Sequence, residues 1–176
     1  MTRCEQPKSK NPAAVVRPKK ICAHICAQAN TVKGRASVIK PKVLFLCTAN
    51  SCRSQMAEAF LRYLAGQQFD SYSAGATPTC VHPDAASVMN EVGIDISEYR
   101  SKDSKEFFGQ RFQFVIKVCD QATERCMIFP GALWTLEWNV SDPAAFKGTE
   151  AERLALFRQV RDDIETRVQK FIIEHS

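Results

Sequence analysis

The stretch Lys-Val-Leu-Phe-Leu-Cys-Thr-Ala-Asn-Ser-Cys-Arg-Ser-Gln-Met-Ala-Glu, residues 42–58, constrains the fold of this chain more than any other. Val43 to Leu46 form an unbroken apolar run bounded by a polar loop, the pattern of a strand buried on both faces. Met56, Ala57, Phe60, Leu61 and Leu64 then recur at helical spacing. The loop between strand and helix is where chemistry collects, because the first amides of a helix lack intrahelical partners and the helix dipole adds partial positive charge. Its natural occupant is an oxyanion. Cys47 opens the loop and Arg53 closes it, a spacing that lets the guanidinium fold back over an anion held above the sulfur. The same field favours thiolate over thiol at Cys47, and the thiolate is the nucleophile. Thr48, Ala49, Asn50, Ser51, Cys52, Arg53 and Ser54 form the oxyanion-binding loop, with Asn50 and Ser54 shaping it through hydrogen bonds and Cys52 turned into the protein. A lone Cys-x5-Arg match reads equally well as an ordinary strand-end cysteine. The strand before it and the helix after it decide for a site.

Downstream, Phe69 to Gly75 reads as a second strand ending in a turn at Gly75. Pro83 stands at a first-turn helix position, followed by Ala86, Val88, Met89 and Val92, with Gly93 as the stop. His82, just before it, reads as a surface loop residue. Phe112 to Val118 is a third strand that runs into Cys119, and Leu133 to Trp138 is a fourth that leads to Asp142-Pro143. Thr149-x-x-Glu152 is a capping box, and Phe157, Val160, Ile164, Val168 and Phe171 then form a core-facing stripe on a long last helix. Strands alternating with helices predict an α/β fold: a single doubly wound domain over residues 42–176, with a four-stranded parallel sheet flanked by helices. Ligands in such sheets lie outside the carboxyl ends of the strands. Cys47, Cys119 and Asp142 follow strands one, three and four, so all three fall on that edge.

Residues 1–41 are rich in Lys, Arg, Pro, Ala and Ser without sustained periodicity, and read as a basic, disordered extension. Ten of the 24 Lys and Arg and a single acid fall within residues 1–42, so the remainder of the chain is net acidic. No aromatic residue is interleaved with these cations, which argues against nucleic acid as a partner. Cys22, His24 and Cys26 lack a second pair at ligand spacing, Cys4 being far off, so no metal is expected. No apolar run approaches membrane-spanning length or a secretory signal, and the expectation is a cytoplasmic monomer without membrane contact. Eight scattered cysteines in such a chain read as reactive or redox thiols rather than a disulfide framework. Cys80 has no evident partner.

Cys119 and Cys126 are separated by six residues, too wide for a zinc knuckle. A loop of that length can bring two cysteines within disulfide range if it folds back, so spacing alone leaves a redox pair and two unrelated cysteines equally open. Asp142 precedes a proline, which biases it to an extended conformation aimed at the loop, where a general acid is needed. In isolation an Asp-Pro is as readily a structural turn.

The string Cys-Thr-Ala-Asn-Ser-Cys-Arg-Ser-Gln-Met-Ala-Glu resembles the phosphate loop of arsenate reductases built on the low-molecular-weight tyrosine phosphatase fold. Val-Cys-Asp-x-Ala-x-Glu-x-Cys, residues 118–126, resembles the redox segment of the thioredoxin-coupled members, and the likeness extends over residues 42–174. Gln55 and Ala144 stand where the phosphatases usually carry proline and tyrosine, and Met127 where many relatives have proline. The resemblance implies arsenate as substrate, Cys47 as nucleophile, Arg53 as oxyanion clamp and Asp142 as acid. It implies further that Cys119 and Cys126 relay a disulfide to thioredoxin, with no bound cofactor; mycothiol or glutathione could stand in as reductant. The alternative is a low-molecular-weight phosphatase acting on aryl phosphates, and a third reading is a non-enzymatic oxyanion sensor. In some relatives a monovalent cation sits on positions matching Asn50, Glu58 and Ser73; here Lys102 occupies the position of the completing acid, and its ammonium would substitute for the ion.

Overall fold

The first strand, β1 (Lys42–Cys47), is buried from Val43 onward, and its period-two alternation feeds two separate apolar clusters. The computed structural model describes residues 39–119 and 128–176, of which Lys40–Ser176 form one unit. The extension to residue 38, with Cys4, Cys22, His24 and Cys26, lies outside the described residues, as does Cys126, the second cysteine of the expected redox pair.

The chain continues through α1 (Arg53–Ala65), β2 (Asp70–Gly75), α2 (Pro83–Glu91), β3 (Phe112–Lys117), β4 (Ala132–Glu137) and α3 (Glu150–His175), with short 3-10 turns at Ser104–Phe107 and Pro143–Ala145. The sheet is parallel throughout, in the order β2-β1-β3-β4. Phe45 pairs with Ser73 on one side and Ile116 on the other, and Cys47 lies level with Gly75. The strand limits and those of α2 agree with the sequence reading to within two residues.

Val43, Phe45, Phe114 and Ile116 point to the face that carries all three α-helices. α3 begins with the predicted box, in which the Glu152 amide donates to Thr149 Oγ1 while the Thr149 amide donates to Glu152 Oε2. Its stripe of Phe157, Val160, Ile164, Val168 and Phe171 is buried throughout. Leu44, Leu46 and Val115 point to the other face, where Phe107, Phe112 and Phe129 meet edge to face, Phe112 and Phe129 at 5.7 Å and 80°. Among the described residues the covering there is a 3-10 turn and aromatic rings rather than an α-helix. β4 is an edge strand, and its Leu133 and Trp134 are exposed.

His82 departs from the sequence reading. It is partly buried and caps α2, its Nδ1 accepting from the Asp84 amide at 3.2 Å, while its ring stacks on Phe157 at 4.8 Å. α2 is further fastened to α3 by Arg153 on Asp84, Arg158 on Glu91, and the buried Arg161, which donates to Val88 O at 2.8 Å and pairs with Glu91 at 3.0 Å. Arg158 foremost, and Arg161 with it, hold the Glu91 carboxyl below its ordinary range. Among the described residues no helix is long and apolar enough to cross a membrane.

Ile164 is fully buried, so Ile164→Ala should cost about 2–5 kcal/mol of unfolding free energy in denaturant titration, through lost transfer energy and the cavity left behind. The exposed Lys170→Ala should stay within about 0.5 kcal/mol of the parent.

Candidate active site

The loop between β1 and α1 is held by its carbonyls. Those of Cys47, Thr48, Ala49 and Ser51 accept from the amides of Ala76, Thr77, Thr79 and His82 at 3.3, 2.9, 3.1 and 2.9 Å, all on the segment that follows β2. The Asn50 carbonyl takes Gln55 Nε2 at 3.0 Å and Ser101 Oγ at 2.6 Å, and that of Cys52 takes the Met56 amide at 2.9 Å. In a trans peptide the N–H points opposite to the carbonyl of the same unit. Carbonyls turned out into the protein therefore turn the amides of the loop inward, and the Asn50 N–H indeed reaches Cys47 Sγ at 3.1 Å.

α1 starts under this loop without a side-chain cap and without an acid in its first turn. Every other helix among the described residues is capped, by His82, Asp103, Asp142 or Thr149. The uncapped end leaves amides and positive dipole to an anion. Gly75 is required by close approach: a Cβ there would lie 2.7 Å from Thr48 O and 2.8 Å from Asn50 N. The sequence marks Gly75 only as a turn.

Asn50 takes a φ of +48°, uncommon for a residue with a side chain. Its Nδ2 donates to Ser54 Oγ at 2.8 Å and Ser73 Oγ at 2.9 Å, and its Oδ1 accepts from the Lys102 amide at 2.8 Å. Ser73 donates onward to Glu58, a buried carboxylate that also pairs with Lys102 Nζ at 2.9 Å and Arg62 at 2.6 Å. The four positions singled out for a cation thus come together, with the Lys102 ammonium on the Glu58 carboxylate. Two cations offset the burial of that charge. Among the described residues no group of three or more metal-ligating side chains occurs.

Cys47 is 6% exposed, and its Sγ contacts Ser54 Oγ at 2.9 Å as well as the Asn50 amide. Cys52 points inward, 2% exposed, and burial pushes its pKa up to about 12. Arg53, also buried, donates to Val140 O at 3.2 Å and faces Asp142 Oδ2 at 3.4 Å. This guanidinium ties the end of β4 to the start of α1. Asp142 caps the Pro143–Ala145 turn through the Ala144 amide at 3.2 Å and keeps about a third of its side chain exposed, at 32%. Cys119 follows β3, with its Sγ 3.8 Å from the carbonyl of Leu46, the residue before Cys47. It is disulfide-bonded, whereas Cys47 and Cys52 are thiols.

The structure thus gathers Cys47, Arg53, Asp142 and Cys119 at one sheet edge. The arrangement suits a tetrahedral oxyanion held by amides, attacked by sulfur, with a carboxyl at the rim to protonate a departing oxygen. Sequence reasoning missed Gln55, Ser101, Gly75 and the 76–82 segment, whose backbone amides carry no side-chain signature. Because Cys52 titrates so high, iodoacetamide near neutral pH should label Cys47 at least about tenfold faster than Cys52, as peptide mass spectrometry would show. Gly75→Ala should weaken inorganic phosphate protection of Cys47 by about tenfold or more, as the loop backbone is pushed from its seat.

Residues 42–175 match the family model described as low molecular weight phosphotyrosine protein phosphatase. An arsenate reductase of Halalkalibacterium halodurans is 41% identical over 132 residues, covering 75% of this chain and 95% of its own. A structure of an arsenate reductase in a phosphate-binding state superposes with a TM-score of 0.67 at 34% identity, over 78% of this chain and all of the other. A thioredoxin-dependent arsenate reductase of Corynebacterium glutamicum shares the fold, with a TM-score of 0.60 at 24% identity, over 79% of this chain and 63% of the other. With its loop, sheet order and uncapped first helix, this chain belongs to the low molecular weight phosphotyrosine protein phosphatase family, among relatives that include arsenate reductases.

Proposed function

We propose that the chain reduces arsenate to arsenite, with Cys47 as nucleophile and with Cys119 and Cys126 as a dithiol relay regenerated by thioredoxin. The observation that carries this reading is the second sulfur beside the loop: Cys119 is buried in the same cluster as Cys47 and is already disulfide-bonded. Phosphate ester hydrolysis has no use for it. The arsenate reductases at about 40% identity support the choice of substrate.

The Cys47 thiolate attacks arsenic, and the oxygen that leaves takes a proton from Asp142 and departs as water. Inward amides of Thr48 to Ser54, together with Arg53, hold the remaining oxygens. Cys119 thiolate then attacks Cys47 Sγ; the sulfur–arsenic bond breaks, its electron pair stays on arsenic, and arsenite leaves as a Cys47–Cys119 disulfide forms. Cys126 attacks Cys119 Sγ and frees the Cys47 thiolate. The Cys119–Cys126 disulfide takes two electrons from the thioredoxin dithiol, so no bound redox cofactor is needed. Residues 42–176 carry the chemistry, in the reducing cytoplasm and as a monomer; the basic 1–41 extension takes no part in it.

Purified full-length protein with thioredoxin, thioredoxin reductase and NADPH should show sustained arsenate-dependent NADPH oxidation. Cys47→Ser and Cys119→Ser should abolish it, and Cys126→Ser should stop after a single turnover. Asp142→Asn should lower kcat by about 10²–10⁴-fold. Hydrolysis of p-nitrophenyl phosphate without arsenate-dependent oxidation would replace this reading with an aryl phosphatase.

A further inference from the structure

Gln55, in the first turn of α1, is fully buried and has its Nε2 within hydrogen-bond distance of three acceptors: Asn50 O at 3.0 Å, Asn50 Oδ1 at 2.9 Å and Arg100 O at 2.9 Å. Three oxygens around one end of the amide fix which end is nitrogen. Among the described residues its Oε1 has no hydrogen-bond partner. A buried amide with one end orphaned costs free energy, so the other end has to be worth more than that loss.

We propose that Gln55 is a positioning residue for the Cys47 thiolate, acting through Asn50. This rests on the reading of Cys47 as nucleophile. Among the described residues the sulfur has two polar contacts, the Asn50 N–H at 3.1 Å and Ser54 Oγ at 2.9 Å, and Asn50 Nδ2 holds that Ser54 Oγ at 2.8 Å. The Nδ2 end keeps its direction only while the Oδ1 end of the same amide is held, and Gln55 Nε2 shares that Oδ1 with the Lys102 amide. The two N–H groups of Gln55 are shared among Asn50 Oδ1, Asn50 O and Arg100 O, tying the Asn50 side chain to the backbone at Arg100. Ser101 Oγ shares the carbonyl at 2.6 Å. Without Gln55 the Asn50 side chain loosens and Ser54 Oγ moves off the sulfur, whereas the Asn50 N–H stays, because it belongs to the peptide unit whose Ala49 carbonyl is seated on Thr79. Arg53 is held by Val140 O and Asp142, the carbonyls of Cys47, Thr48, Ala49 and Ser51 are seated on residues 76–82, and the Ser51 N–H, in one unit with the Asn50 carbonyl, keeps Ser101 Oγ as its holder. Gln55 therefore governs the reactivity of the sulfur and leaves the affinity for the oxyanion in place.

The test uses full-length, reduced protein carrying Gln55→Met, which keeps volume and loses the donors, or Gln55→Glu, which turns an acceptor towards three acceptors. Alkylation of Cys47 by iodoacetamide is followed by mass spectrometry at fixed pH, alone and against increasing inorganic phosphate. The expected result is an alkylation rate and a kcat each about tenfold lower, the scale of one lost hydrogen bond, with half-protection by phosphate moved less than about threefold. An alkylation rate within about twofold of the parent overturns the proposal; so does phosphate affinity falling in step with it, the mark of a collapsed loop. Ser101→Ala removes the other holder of the Asn50 carbonyl and should leave alkylation within about twofold of the parent while phosphate half-protection weakens about threefold. If the Gln55 variants do not fold, Ser54→Ala, which removes the contact through which Gln55 acts, should slow alkylation about tenfold, and a rate within about twofold of the parent overturns the proposal. Alkylation needs no arsenate, so a parent protein inert towards arsenate would sink the reductase reading while this test still stood.

Discussion

The outward turn of the loop carbonyls is the constraint on which the site depends. Seating them needs a second chain segment running alongside the loop at hydrogen-bonding distance. The β1–β2 register supplies it by setting Cys47 level with Gly75 and sending residues 76–82 past the loop. A one-residue slip of that register would reverse every side chain of β2 and put a side chain where only Gly75 fits. Chemistry at the sheet edge is thus fixed by pairing along the strands, far from any reacting atom.

Two cysteines share this loop and are told apart by their contacts. Cys47 Sγ lies in contact with the Asn50 amide and the Ser54 hydroxyl, whereas Cys52 sits where burial outweighs its one hydroxyl neighbour and keeps it protonated. The same logic runs through the buried ion pairs. Glu58 and Arg53 both leave water, and each keeps an opposite charge, Lys102 and Arg62 for the first, Asp142 for the second. Removing one partner would strand a charge and cost more than the pair contributes.

Much of this was legible in the sequence wherever side-chain pattern carries the signal. The apolar run of Val43 to Leu46 gave a doubly buried strand, the period of Phe157 to Phe171 gave the core face of α3, and a parallel sheet then brought Cys47, Cys119 and Asp142 to one edge. What stayed hidden is carried by backbone or by unusual choices of side chain. The amides of Ala76, Thr77 and Thr79 leave no trace in residue type, a histidine is an infrequent helix cap, and nothing in Ser-Gln-Met announces that the glutamine grips a left-handed asparagine. The aromatic covering of the second face of the sheet was hidden as well, since Phe107, Phe112 and Phe129 are spread over three separate segments.

Asp142 is held differently from the loop it serves. It heads a three-residue helical turn by its own capping bond, on a partly exposed flank that meets the loop through Arg53. The two halves of the site therefore differ in how much change they tolerate. A substitution among Cys47 to Ser54 disturbs partners in three other segments at once, so useful variation there demands simultaneous changes that a mutating lineage seldom finds. Ala144 to Phe146 face few such obligations, and a new shape on that flank can arise one residue at a time. Diversification of the substrate accepted by such a scaffold should begin at its rim, with the anion cradle carried along unchanged.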